Sequence, residues 1–142
     1  MLFRSVLKEQ WGAVGVNVTL QEQEWGTLLK RMEGGDFDAM YSGWSATPDP
    51  HSTLHPLLAS DSPNNYGGYN SAAFDAAVAA GDKATGETQR GAAYQKAVEI
   101  VLRDAPILPV VFAAETRLIR PYITGLRYSL GGMLPHTTTT VR

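Results

Sequence analysis

The 142-residue chain contains no cysteine, which removes disulfides, thiolate nucleophiles and cysteine-based zinc sites from consideration. It has no strong charge of one sign: 12 basic and 14 acidic residues leave a net charge of −2. No basic patch is present to follow a nucleic-acid backbone or hold a membrane surface. No apolar run approaches the roughly 20 residues that span a bilayer. The opening MLFRSVLKEQWG does not read as a signal peptide, because Arg4, Lys8 and Glu9 interrupt any apolar stretch. Nucleophile elbows, phosphate-binding glycine loops, dinucleotide fingerprints and internal repeats are all missing.

A hydrophobic fraction of 44% and a charged fraction of 18% fit a globular chain able to build one core. Leu2, Phe3, Val6, Leu7, Trp11 and Val14 recur at helical spacing, predicting a helix over residues 2–13 that stops at Gly12 and Gly15. Val16, Val18 and Leu20 alternate with polar residues, the pattern of a half-buried strand. Trp25, Leu28, Leu29 and Met32 predict a second helix ended by Gly34-Gly35, and residues 37–44 read as a strand. Asp49 is placed to cap a short helix with Pro50 at its first turn. Residues 60–70 form a loop, and Ser71 caps a helix carrying Phe74, Ala77 and Val78. Tyr94, Ala97, Val98, Val101 and Leu102 make the clearest amphipathic stripe, over residues 87–104. Residues 107–114 read as a buried edge strand between prolines, and 117–120 as a short extended piece. The order is α-β-α-β-α-α-α-β-β, an α/β or α+β arrangement.

Catalytic patterns are weak. His51 and His55 share a helical face at a spacing that suits two zinc ligands, but the metalloprotease pattern would place a glutamate where Ser52 stands. The plainer reading is two surface or loop-packed histidines, with a small metal-binding enzyme as the alternative. Asp36 and Asp38 read as a solvated turn, and Asp49 as a cap rather than a general base. No metal or other cofactor is expected. Tyr41, Trp44, Tyr66 and Tyr69 lie at strand ends and in loops, beside Ser42, Ser45, Thr47, Asn64 and Asn65. Aromatics mixed with small polar groups at strand ends suit a small-molecule surface.

Several segments resemble a known family in order and spacing. GDFDAMYSGWSATPDP is similar to the G-x-[FY]-D-x-x-x-x-G-W-x-x-x-x-D-P stretch of family 5 solute-binding proteins, the dipeptide, oligopeptide and nickel binders of ABC transporters. NNYGGYNSAAFD, the RGAAYQKA helix, APILP and RPYITGL resemble the segments that follow, and GVNVTLQEQEW the one that precedes. The match runs from residue 2 to residue 126. It implies a periplasmic-binding-protein-like (type II) lobe, incomplete, with a mixed sheet flanked by helices. Residues 1–126 would be part of the second lobe, and residues 127–142 a tail that in relatives returns to the first. The implied function is solute capture for an ABC importer, with a peptide- or oligosaccharide-like ligand, an ABC permease as partner and a periplasmic location. The resemblance implies Tyr41, Gly43 and Trp44 as ligand contacts, and the polar-aromatic cluster adds Ser45, Thr47 and Tyr69 as expected ligand residues. The sequence departs from the family where peptide binders place an aspartate after the tryptophan: Ser45-Ala46-Thr47-Pro48 is one residue short and has no acid. With the first lobe unmatched, uncovered apolar surface around the first helix and residues 107–114 is expected to drive homo-oligomer formation, with the tail exchanged between chains. A fragment with only this structural, self-associating role is the other alternative.

Overall fold

A computed structural model describes residues 2–45, 47–111, 118–125 and 139–141. The chain divides into two compact units, Met1–Asp38 and Ala39–Arg142. The sequence-derived boundary at 126/127 lies outside the described residues.

The first unit holds two helices, α1 (Leu2–Ala13) and α2 (Trp25–Gly34). After α1 the chain turns through Gly15, whose φ of 87° suits a residue without a Cβ. At the start of α2 the Glu24 carboxylate accepts the Gly26 and Thr27 N–H groups at 2.8 and 3.3 Å. This satisfies two donors that the first turn leaves without helical partners. At its end Gly35 enters the left-handed region at φ 67°, and the Gly35 and Asp36 N–H groups return to the Met32 and Arg31 carbonyls. That is a Schellman closure, and it explains why Gly34-Gly35 stops the helix. Arg31 fastens both flanks, donating to Asp36 Oδ2 at 2.9 Å and to Gln21 Oε1 at 2.8 Å.

The second unit contains α3 (His51–Leu58), α4 (Ala72–Lys83) and α5 (Glu87–Asp104), followed by β1 (Ile123–Thr124) and β2 (Thr140–Val141). The strands pair antiparallel, Ile123 with Val141 and Thr124 with Thr140. The core is helical: Leu58, Ala59, Phe74, Ala77, Val78, Tyr94, Ala97, Ile100 and Val101 are buried together. Phe74 and Val78 face it from α4 at i and i+4, and Tyr94, Ala97 and Val101 from α5 at i, i+3 and i+7. Helices α4 and α5 approach closely at Gly81, where a Cβ would stand 2.7 Å from the Tyr94 ring. The Ser71 hydroxyl caps α4 by accepting the Phe74 N–H. Helix α5 closes through Ala105, left-handed at φ 48°, whose N–H reaches the Val101 carbonyl. Pro106, next in the chain, disfavours helical backbone at Ala105.

The helices stand where hydrophobic periodicity placed them, but the expected mixed sheet is not seen among the described residues. Residues 16–21, 37–44, 107–111 and 118–120 carry no strand ladder. The remainder of the two extended segments expected at 107–114 and 117–120 lies outside the described residues. A strand exists through its neighbour, since its main-chain groups need a partner along the edge. Alternation in one segment shows which side chains share a face and says nothing of whether a partner lies beside it. Val16 and Leu20 accordingly stand exposed.

Candidate functional site

The second unit opens with loop residues 39–45 and 47–50, the latter leading into α3. Tyr41 and Trp44 are 47% and 43% exposed, large apolar side chains partly open to solvent. Gly43 between them is open, with nothing within 4 Å of where a Cβ would stand. Ser42 and Ser45 are also exposed. Among the described residues, no hydrogen bond engages the side chains of Tyr41, Ser42, Trp44 or Ser45. Thr47 is committed to the turn, its hydroxyl donating to the Asp49 carbonyl at 3.2 Å.

The end of this loop is clamped to the helical pack. Asp49 Oδ1 accepts the His51 N–H at 3.0 Å, the cap expected from the sequence, and also takes Arg90 Nη2 at 2.6 Å. Arg90 reaches back from α5, donates its other amino group to the Gly81 carbonyl at 3.1 Å, and lies 4.9 Å over the Tyr94 ring. Tyr94 in turn donates its hydroxyl to Asp82 Oδ1 at 2.6 Å. His51 Nδ1 approaches the same oxygen to 2.8 Å, but off the hydrogen-bonding line, so this buried nitrogen has no aligned partner among the described residues. The main-chain N–H of His51, with Arg90 adding to it, holds the Asp49 carboxyl below its ordinary pKa. Burial first, and then the bond to Asp82, pushes the Tyr94 hydroxyl up to about 12. Three helices and the loop end are thereby joined through one set of charged and polar groups.

Tyr69 differs from the other aromatics of the expected site. Its ring packs edge-on to Phe74 at 5.8 Å, and its hydroxyl donates to Asp104 Oδ2 at 2.6 Å. Burial, then the neighbouring Asp104, raises the pKa of that hydroxyl. Asn65 pins the same turn, donating to the Ala59 and Tyr69 carbonyls and accepting the Tyr69 N–H. Tyr41, Gly43, Trp44, Ser45 and Thr47 are contiguous in one loop, whereas Tyr69 belongs to the turn before α4.

His51 and His55 do share a face, with ring centroids 4.9 Å apart. His55 Nε2 lies 3.4 Å from Asp61. No group of three or more metal-ligating side chains is arranged to hold an ion among the described residues. A groove of about 290 Å³ runs beside them, with His55, Ser60, Asp61, Asp75 and Asp82 among its lining residues. It includes none of the six expected ligand residues, and Ser60 already engages Asp75 through both its N–H and its hydroxyl.

Sequence reasoning missed the role of Arg90. The available signal was its position four residues before the core tyrosine Tyr94, which places both side chains on one face of α5. Nothing local pointed from Arg90 to Asp49.

Comparison with known proteins gives a consistent answer. Residues 4–65 match the sequence profile described as bacterial extracellular solute-binding proteins, family 5 Middle. The periplasmic oligopeptide-binding protein OppA of Salmonella typhimurium is 41% identical over 113 residues, covering 79% of this chain and 21% of that protein. The probable deoxycholate-binding periplasmic protein YgiS of Escherichia coli is 34% identical over 120 residues, covering 84% and 22%. Among solved structures, the unliganded open form of the periplasmic murein tripeptide-binding protein MppA superposes with a TM-score of 0.78 at 28% identity, covering 97% of this chain and 27% of that one. The class defined by these matches is the bacterial extracellular solute-binding proteins. Within it, the chain belongs to family 5. The chain spans about a fifth of the length of the curated relatives it matches.

Proposed function

We propose that this chain supplies part of the ligand-contacting lobe of a solute-capture protein that feeds an ABC importer from outside the cytoplasm, by binding and without catalysis. Residues 1–126 make up most of the second lobe in this reading, and residues 127–142 return toward the first. The observation that carries it is the pair Tyr41 and Trp44, exposed on a loop whose far end is fixed by the Asp49–Arg90 contact. Exposed aromatics on an anchored loop offer a large contact area at low ordering cost. Gly43 keeps the space between them clear for close approach of a ligand, and Ser45 and Thr47 add polar groups. Tyr69 contributes its ring, its hydroxyl being held by Asp104. The names of the relatives OppA and MppA favour a peptide-like solute.

The test is a titration of the chain with short peptides and neutral oligosaccharides by calorimetry and by tryptophan emission. Weak binding at most is expected of one lobe by itself, with Trp44→Ala and Tyr41→Ala each weakening it further. Unchanged affinity in both variants would remove this loop from the site.

A second reading, self-association, is favoured by Leu102 and Leu108, 69% and 66% exposed. Light scattering coupled to size exclusion at micromolar concentration tests it. A concentration-independent monomer counts against it.

A further inference from the structure

We infer that the loop at residues 39–50 recognises an uncharged, ring-bearing part of its ligand and forms no ion pair with it. This rests on the capture role proposed above and narrows the class of solute.

From Ala39 to Pro50 there is one charged residue, Asp49. Its Oδ1 holds the His51 N–H at 3.0 Å and the Arg90 guanidinium at 2.6 Å. The guanidinium is fixed in its turn on the Gly81 carbonyl and over Tyr94. Carboxylate and guanidinium cancel in place, so a cationic ligand group meets no net negative charge at the end of the loop. Attraction of an ammonium to Asp49 would have to compete with a cation already seated there. The neighbouring acids of the second unit are engaged as well: Asp61 faces His55, Asp75 takes Ser60, Asp82 takes Tyr94, and Asp104 takes Tyr69 and Arg103.

What the loop does present is two exposed aromatic faces, an open glycine and the hydroxyls of Ser42 and Ser45. Aromatic faces and hydroxyls match a group with a flat or apolar ring side and hydrogen-bonding edges. An aromatic or proline residue within a peptide and a neutral sugar ring both meet that description.

The experiment titrates the full chain, following Trp44 emission with Trp44→Phe as the control for the other tryptophans. The probes are an aromatic tripeptide with free termini, the same tripeptide N-acetylated and C-amidated, and a neutral trisaccharide. Free and blocked peptides are expected to bind within about threefold of each other, with little change between low and high salt, because no ion pair is lost on blocking. Asp38→Asn, which removes the carboxylate that directly precedes the loop in sequence, is expected to leave both affinities unchanged. Response to the trisaccharide alone supports the inference and identifies a sugar as the source of the ring. A preference of roughly tenfold or more for the free peptide, abolished by high salt, overturns it while leaving the capture role standing. If no probe moves the Trp44 emission, the capture role of this loop falls and the inference falls with it.

Discussion

Arg90 and Asp49, 41 positions apart in the chain, meet at 2.6 Å and join the middle of the second unit to the mouth of its aromatic loop. Exposed ion pairs contribute little alone, but this guanidinium also bonds a main-chain carbonyl and lies over a buried ring. Arg90→Gln is therefore expected to lower stability modestly, the contact with Tyr94 alone being worth about 0.5–1 kcal/mol. Trp44 emission should shift as well, because the loop end loses its tether. A double-mutant cycle with Asp49→Asn checks the linkage, and strictly additive effects would contradict it.

Phe74 is wholly buried where α4 meets α5 and the turn at Tyr69. Phe74→Ala is expected to cost about 3–5 kcal/mol, enough to unfold much of a unit of this size. Phe74→Leu should retain most of the fold. Thermal melts followed by circular dichroism separate the two outcomes.

Two glycines on neighbouring helices should respond in opposite directions. Gly81→Ala would put a methyl 2.7 Å from the Tyr94 ring and is expected to destabilise by about 1–3 kcal/mol. Gly91, exposed on α5 with nothing within 4 Å, should gain about 1 kcal/mol on substitution by alanine. Urea midpoints of the two variants, compared with the parent, test the pair.

The ionisable groups set both ends of the pH range. Asp49 and Asp104 have carboxyl pKa values lowered by folding, the first through the His51 N–H and the second through Arg103. Their contribution is complete above the ordinary carboxylate value and is lost as pH falls through the lower, folded values. Tyr94 moves the other way, up to about 12 from the ordinary 10.0. The folded state binds its proton more tightly, so stability from Tyr94 is complete below pH 10.0 and declines as pH rises toward about 12. Denaturation midpoints measured across pH should fall at both extremes, and Tyr94→Phe should flatten the alkaline arm.

Helix α5 was legible to its ends because Tyr94, Ala97 and Val101 mark one face and Pro106 marks the stop. Helix α2 was legible for a similar reason, Gly35 being the residue that tolerates the left-handed turn. The segment at 16–21 was read as a strand from alternation and 37–44 from its aromatic ends, and neither local signal carries information about a neighbouring strand. Position at strand ends and in loops also grouped Tyr69 with Tyr41 and Trp44. Their different environments depend on Asp104, 35 residues from Tyr69. The Arg90–Asp49 contact escaped for the same cause, since both residues have complete local readings as a helix-face cation and a cap.

The cap at Asp49 marks a border between two kinds of residue. Behind it, the side chains of α3, α4 and α5 hold one another. Ahead of it, the side chains of Tyr41, Ser42, Trp44 and Ser45 make no hydrogen bond among the described residues. Substitutions in the loop should therefore cost the fold little, while substitutions in the helices are constrained from several sides at once. Sequence change in the loop can accumulate without first making the chain unstable. A library randomised at Tyr41, Ser42, Trp44 and Ser45 should yield mostly folded members, so the capture role proposed for this short loop can be probed without losing the fold.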